Sequence, residues 1–165
     1  MGDEWGTPQD LFDGIVKKVG SFDLDVCASK DNYKVNKYYT IEDDGLKQEW
    51  NGKCWCNPPY SDIEPWVNKA IYEFGKKGYQ ASHKIDTPQV VMLLPVNTDT
   101  KWFQKVFNNV KDIVFIKGRL SFEGEQNYPA RFPSCLAFFD NRFYFGNVHF
   151  WTCDREYNDV KRVSY

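Results

Sequence analysis

Asn57-Pro58-Pro59-Tyr60 follows directly on a short apolar run, Lys53-Cys54-Trp55-Cys56, and precedes a helix-like stretch from Asp62. The two prolines fix φ near about −65° and remove two backbone donors. The carbonyls of Asn57 and Pro58 can then turn toward a ligand instead of into a ladder. The Asn57 side-chain oxygen and the Pro58 carbonyl make two acceptors facing one spot, which suits an NH2 group. The Tyr60 ring offers a stacking face to the planar group carrying that NH2. The chemistry such a tetrad supports is reaction at an amino nitrogen. The plainer reading is a Pro-Pro turn closing a strand, with Asn57 as an ordinary cap.

A tetrad of this kind needs a sheet to hold it. Thr7 at the cap and Pro8 at the first helical position open a helix. Leu11, Phe12, Ile15, Val16 and Val19 recur at helical spacing in it, and Gly20 stops it. A strand is predicted over 22–26. Residues 30–45 are polar and aperiodic, and 46–50 read as one helical turn. A second strand over 54–56 leads into the tetrad, and a helix is predicted over 63–74. A polar connection spans 75–86. The continuous apolar run 90–94 marks a buried parallel strand, ending at Pro95. Helical spacing resumes over 100–110, and 113–116 is another buried strand. After a long polar loop over 118–133, the segments 134–139, 142–145 and 148–152 read as an antiparallel meander. Its links are Asp140-Asn141 and Gly146-Asn147. The whole predicts one α/β domain over 1–165, mostly a parallel sheet with an antiparallel C-terminal hairpin region. In such sheets ligands sit beyond the carboxyl ends of the strands. Asp25, Asn57 and Pro95 each fall at such an end and define one candidate pocket.

At 165 residues the chain suits one domain with a real core. Aromatic residues make up 18%, with six Trp and thirteen Phe, and rings of this kind fill cores and also stack on bases. A formal charge of −2 provides no global basic field. That argues against a nonspecific nucleic-acid binder while leaving room for a local basic groove. The five cysteines, Cys27, Cys54, Cys56, Cys135 and Cys153, are odd in number and sit mostly in apolar strand-like runs. They read as reduced, buried thiols of a cytosolic protein, with Cys54 and Cys56 on one face of a strand. No second cysteine pair or His cluster completes a zinc set, and His83 and His149 stand far apart, so no metal site is expected. The sequence shows no signal peptide and no apolar run long enough to span a bilayer.

Several blocks together resemble the phage-type DNA N-6-adenine methyltransferase (Dam) family. They are Asp3-Glu4-Trp5-x-Thr7-Pro8, Leu24-Asp25-Val26-Cys27-Ala28, Thr40-x-Glu42-Asp43-Asp44-Gly45-Leu46 with Trp50, and Trp55-x-Asn57-Pro58-Pro59-Tyr60. Leu93-Leu94-Pro95-x-x-x-Asp99-Thr100-x-Trp102-Phe103, Gly118-Arg119-Leu120-x-Phe122 and Phe132-Pro133-Ser134 extend the match over roughly residues 3–140. The resemblance implies S-adenosylmethionine as methyl donor, an adenine in DNA as acceptor, and the Rossmann-like sheet of nucleotide-cofactor methyltransferases. Trp5, Thr7 and Pro8 resemble the segment at the cofactor's carboxylate end. Asp25, Cys27 and Ala28 resemble the first-strand cofactor loop, with Asn57 closing the site. One departure is plain: Ala28-Ser29-Lys30-Asp31-Asn32 carries no glycine. The stretch from Asp25 to Asn57 is also short for the usual intervening units, so a strand and helix are expected to be abbreviated. Asp43 or Asp44 is then expected to meet the cofactor's adenine amino group, although Glu42-Asp43-Asp44 also reads as a solvated acidic turn.

The mechanism implied is direct transfer to a base extruded from the duplex. Asn57 and Pro58 accept the amino hydrogens and Tyr60 stacks on the base. No covalent intermediate is needed, so Cys56 is not a nucleophile, and the Pro-Cys loop of a cytosine C5 enzyme is missing. Lys101, Arg119, Phe122 and Arg131 are the expected DNA contacts. Lys105, Lys111, Arg155, Lys161 and Arg162 are further cations able to meet phosphates, and each taken singly also reads as a solvated surface charge. Three other readings stay open: a protein-glutamine methyltransferase, a cytosine N-4 enzyme, and an inactive cofactor-fold module that binds DNA.

Overall fold

A computed structural model describes residues 5–78, 90–124, 129–140 and 148–163. Helix α1 is Gln9–Val19, followed by strands β1 (Leu24–Asp25) and β2 (Cys54–Cys56) and helix α2 (Glu64–Gly78). Strand β3 (Val90–Pro95), helix α3 (Lys101–Asn109) and strands β4 (Asp112–Ile116), β5 (Ser134–Phe139), β6 (His149–Cys153) and β7 (Lys161–Arg162) complete the order. The strands form one sheet, β1-β2-β3-β5-β4-β6-β7. Pairs β1·β2, β2·β3 and β4·β6 are parallel, while β3·β5, β4·β5 and β6·β7 are antiparallel. The sheet is therefore mixed, with five of the seven described strands running one way and only β5 and β7 opposed.

Alternation across the pleat divides the core in two. Cys54, Cys56, Val90, Met92, Leu94 and Ala137 point to the face covered by α2 and α3 through Val67, Ala70, Phe103 and Val106. Trp55, Val91, Leu93, Leu136 and Phe138 point to the face covered by α1 through Leu11, Phe12 and Ile15. Cys54 and Cys56 thus share a face as expected. Strands buried on both faces read as unbroken apolar runs, and β3 and β5 are buried at every residue.

Several expectations are corrected. The first strand is two residues long rather than 22–26. Helix α1 begins at Gln9 with Pro8 as the flanking residue and no side-chain cap, one position later than Thr7-Pro8 implied. Residues 46–50 make no helical turn. Asp44 takes φ 54°, and Gly45 presses on the Val26 carbonyl so closely that a Cβ would lie 2.2 Å from it. The C-terminal strands do not form a meander. β5 inserts between β3 and β4, because a strand apolar on both faces belongs in the middle of a sheet, and β6 runs parallel to β4. The segment 142–145 and both Asn141 and the Gly146-Asn147 pair lie outside the described residues. Between Asp25 and Cys54 there is no helix and no named strand, as the shortened spacing implied. A single parallel bridge, Asp25 to Tyr38, covers the outer side of β1. No helix among the described residues is long and apolar enough to cross a membrane.

Candidate active site

The carboxyl ends of β1 and β2 open onto a cavity of about 640 Å³. Its walls are residues 5–7, the loop 25–32, residues 39–42, 44 and 45 of the following turn, and Trp55, Asn57, Pro59 and Trp66. Of the residues expected there, Trp5, Thr7, Asp25, Cys27, Ala28, Asp44, Asn57 and Pro59 are in the lining. Pro8, Asp43, Pro58, Tyr60 and Pro95 are not, so of the three strand ends expected to meet there only those of Asp25 and Asn57 do. The wall also holds Lys30, Asn32 and Ile41, together with Thr40 and Glu42 of the family-like block, none of them among the expected cofactor contacts. Ile41 is 90% exposed at the mouth. An apolar residue inside an otherwise polar turn was the available signal.

Asn57 is held by its nitrogen. Its Nδ2 donates to the carbonyl of Trp5, whereas its Oδ1 is buried without a hydrogen-bond partner. An orphaned buried acceptor costs about 1–3 kcal/mol, and such an atom calls for an explanation, a missing ligand among them. The donor bond to Trp5 also settles which way the amide is turned.

Asp25 is 2% exposed. Its Oδ1 accepts from the Cys27 amide at 3.3 Å and its Oδ2 from the Lys34 amide at 3.0 Å. The carboxylate thus organises the loop that a glycine-rich turn would otherwise shape. Burial pushes its pKa up to about 7, against the opposing pull of the Lys34 and Cys27 amides. Burial, with Asp25 beside it, pushes the Cys27 thiol up to about 12, and burial likewise raises Cys56 well above the thiol range. All five cysteines are thiols rather than half-cystines, and all but Cys27 are buried.

The acidic turn divides its work. Asp43 accepts from the Thr40 amide at 2.8 Å and the Thr40 hydroxyl at 2.9 Å, which lowers its pKa. Its carboxylate is spent inside the turn and stays out of the cavity wall, contrary to one of the two expectations for the cofactor acid. Asp44 lines the cavity and pairs with Lys47 at 2.8 Å.

Tyr60 sits beside Asn57 in a cluster of rings. Phe132 and Phe122 stand edge-on to it at 5.3 Å and 5.9 Å, and both also meet Trp5, at 6.0 Å and 5.5 Å. Its hydroxyl donates to the Leu93 carbonyl at 3.4 Å. Phe122 is only 4% exposed. The expectation that it contacts DNA is therefore corrected: it supports Trp5 and Tyr60 from behind.

Lys101, Arg119 and Arg131 are exposed. They leave the sheet at the edge that carries Asn57, because Pro95 pairs with Ser134 and Phe115 with Cys135. Lys105 instead joins α3 to α2 through Glu64 (2.7 Å) and Asn68 (2.9 Å). Lys111 precedes β4 at the opposite edge. Lys161 is paired with Asp159 at 2.7 Å, while Arg155 and Arg162 are exposed.

A family model described as DNA N-6-adenine-methyltransferase (Dam) matches residues 1–153. The chain is 35% identical over 153 residues to a protein of Haemophilus phage HP1 (strain HP1c1) named DNA N-6-adenine-methyltransferase, covering 88% of this chain and 83% of that one. It is 34% identical over 131 residues to a protein of the same name from Escherichia phage T1, covering 78% of this chain and 51% of that one. The solved Type IIL restriction-modification enzyme MmeI in complex with DNA overlaps 90% of this chain and 23% of its own, with 9% identity and a TM-score of 0.43. That likeness is too slight to bear on the fold.

Proposed function

The chain belongs to the DNA N-6-adenine-methyltransferase (Dam) family, and on that premise we propose that it transfers a methyl group from S-adenosylmethionine to N6 of an adenine in DNA, with Asn57 holding the reacting amino group. The observation that carries the proposal is the buried, unpartnered Oδ1 of Asn57 on the cavity wall.

The residues present fit the donor. The cavity is within the usual range of small-ligand sites. Asp25, Asp31, Glu42 and Asp44 line it against a single lysine, Lys30, which suits a ligand that carries a sulfonium and an ammonium. Thr7 and residues 27–32 would wall one side, and Ile41 the mouth. The parallel β1, β2 and β3, with the cavity beyond the carboxyl ends of β1 and β2, support the Rossmann-like reading of the sheet. When bound, S-adenosylmethionine supplies a methyl group activated by its sulfonium.

The protein's own part is to hold and orient. Asn57 Oδ1 accepts one amino hydrogen of the adenine and the Pro58 carbonyl accepts the other. This draws electron density onto N6 and fixes its direction. Tyr60, braced by Phe122 and Phe132, offers its ring to the extruded base, whose unstacking costs a few kcal/mol. The nearby thiols stay protonated, so no covalent route through Cys27 or Cys56 competes. Lys101, Arg119 and Arg131 grip phosphates along the same edge.

The test incubates the purified protein with radiolabelled S-adenosylmethionine and unmethylated duplex DNA, beside Asn57→Ala, then digests the DNA and separates its nucleosides. Label in N6-methyladenine that is lost in the variant is the expected result. Label in N4-methylcytosine, or in protein glutamine, would overturn the acceptor assignment.

A further inference from the structure

Glu123 stands just outside the family-like block 118–122, yet three segments of the site meet on it. Gly6 and Glu123 exchange two backbone bonds, Gly6 N–H to Glu123 O at 3.0 Å and Glu123 N–H to Gly6 O at 2.7 Å. The carboxylate Oε1 accepts from the Gln9 amide at 2.9 Å, at the start of α1. Oε2 accepts from Lys34 Nζ at 2.6 Å, and the same ammonium reaches Gln9 Oε1 at 3.0 Å. The Lys34 side chain is 5% exposed and that of Glu123 43%, so a buried ammonium is met by a half-exposed carboxylate. The backbone amide of Lys34 is the one that donates to Asp25. Gly6 is what allows the approach: a Cβ there would lie 3.0 Å from Glu123 Cβ, 3.1 Å from its carbonyl oxygen and 3.5 Å from Asn32 Cβ.

The neighbour of Gly6 is Trp5, whose carbonyl takes the Asn57 Nδ2 hydrogen. An asparagine amide has two orientations that differ only in where the oxygen and nitrogen lie. A carbonyl in this place rewards only the one that leaves Oδ1 unpartnered. We propose that Glu123 is a positioning residue for methyl transfer, clasping residues 5–9 and Lys34 so that the Trp5 carbonyl holds Asn57 with its oxygen free for the target amino group. The proposal rests on the role assigned to Asn57 above. The same clasp ties residues 5–9 and the Asp25 loop, two of the cavity walls, to the loop that carries Arg119.

The test uses Glu123→Ala, Glu123→Gln and Gly6→Ala with two readouts. The first is the side-chain amide signal of Asn57 in 15N-labelled protein without cofactor, identified by its loss in Asn57→Ala. The wild type is expected to show a hydrogen-bonded, slowly exchanging pair of protons, and Glu123→Ala and Gly6→Ala the signal of a free amide. Glu123→Gln keeps an acceptor for Gln9 and loses the charge facing Lys34, so it falls between them and serves if Glu123→Ala does not fold. The second readout is the single-turnover transfer rate, with DNA affinity measured alongside. A loss of about tenfold or more in rate with DNA affinity within about twofold is expected, shrinking to less than about twofold when Glu123→Ala is placed in the Asn57→Ala background. An Asn57 signal and rate unchanged in Glu123→Ala would overturn the proposal. So would a loss of full size in the Asn57→Ala background, because Glu123 would then act elsewhere. A wild type that methylates no DNA would overturn the reading of Asn57, while the amide signal still decides whether the clasp exists.

Discussion

Between Asp25 and Cys54 the chain makes no regular element, while β3, β5 and β4 form the unbroken middle of the sheet. The second region is held by apolar burial on both faces, with Met92, Leu93, Leu94, Leu136 and Ile113 fully enclosed. The first is held by acids that accept backbone amides: Asp23 takes Lys53, Asp25 takes Cys27 and Lys34, and Asp43 takes Thr40. Apolar burial is nondirectional and indifferent to pH, whereas carboxylate-held loops are directional, titratable and open to ligands. The cavity lies in the region whose shape is set by polar contacts, and the central strands give it a fixed edge to stand on.

The largest expected effect tests the central strands. Leu136→Ala removes a fully buried side chain from β5 and should cost about 2–5 kcal/mol of stability, read by denaturant unfolding. At a temperature where the variant is folded, its cofactor affinity should match the wild type. A large change in affinity would mean the two regions are not separable. Next comes Asn57→Ala, which removes the free acceptor and leaves the sheet intact. Its transfer rate should fall about 10²–10³-fold, the range for a single preorganised polar group, with the unfolding midpoint shifted far less than in Leu136→Ala.

Asp25 sharpens the contrast through pH. Its carboxyl is pushed up to about 7 in the folded protein by burial, against about 3.9 in an unfolded chain. Between those values the folded state keeps a proton that the unfolded chain has lost. Its contribution to stability is therefore largest in acid, falls as pH rises from about 4 to 7, and is flat above 7. Thermal unfolding across that window should show a smaller decline for Asp25→Asn than for the wild type. A cationic ligand favours the ionised form, so wild-type affinity for S-adenosylmethionine should rise through pH 7 and that of Asp25→Asn should not. Equal profiles for both proteins would remove Asp25 from the site's electrostatics.

The apolar runs at 90–94 and 113–116, the tetrad after a strand, and the missing intervening units were legible because each leaves a local trace: an unbroken run, two prolines, a short spacing. The place of β5 was not, because apolarity on both faces says a strand is buried without saying between which neighbours. Phe122 looked like a base contact because loops rich in cations and rings resemble one another in sequence. Only the structure folds that ring behind Trp5. The clasp was invisible for a plainer reason. Gln9 and Lys34 reach Glu123 across 114 and 89 residues, and no periodicity records a contact between segments so far apart.

The smallest expected effect concerns the surface and separates the two edges of the sheet. Arg119 is exposed at the edge that carries Asn57, whereas Lys105 is tied to Glu64 and Asn68 and Lys111 lies at the far edge. A cation that meets a phosphate releases a counterion, so its loss lowers the slope of log affinity against log salt by roughly one for each contact. Arg119→Ala should therefore weaken binding to any duplex and reduce that slope by about one, and Arg131→Ala should do the same. Lys105→Ala and Lys111→Ala should leave the slope unchanged. The measurement is a salt titration of DNA affinity for the four variants beside the wild type. Equal slopes for Arg119→Ala and the wild type, with a reduced slope for Lys111→Ala, would put the duplex on the opposite edge from Asn57. That arrangement cannot deliver an extruded base to the cavity, so the outcome would count against the DNA path and not merely against one arginine.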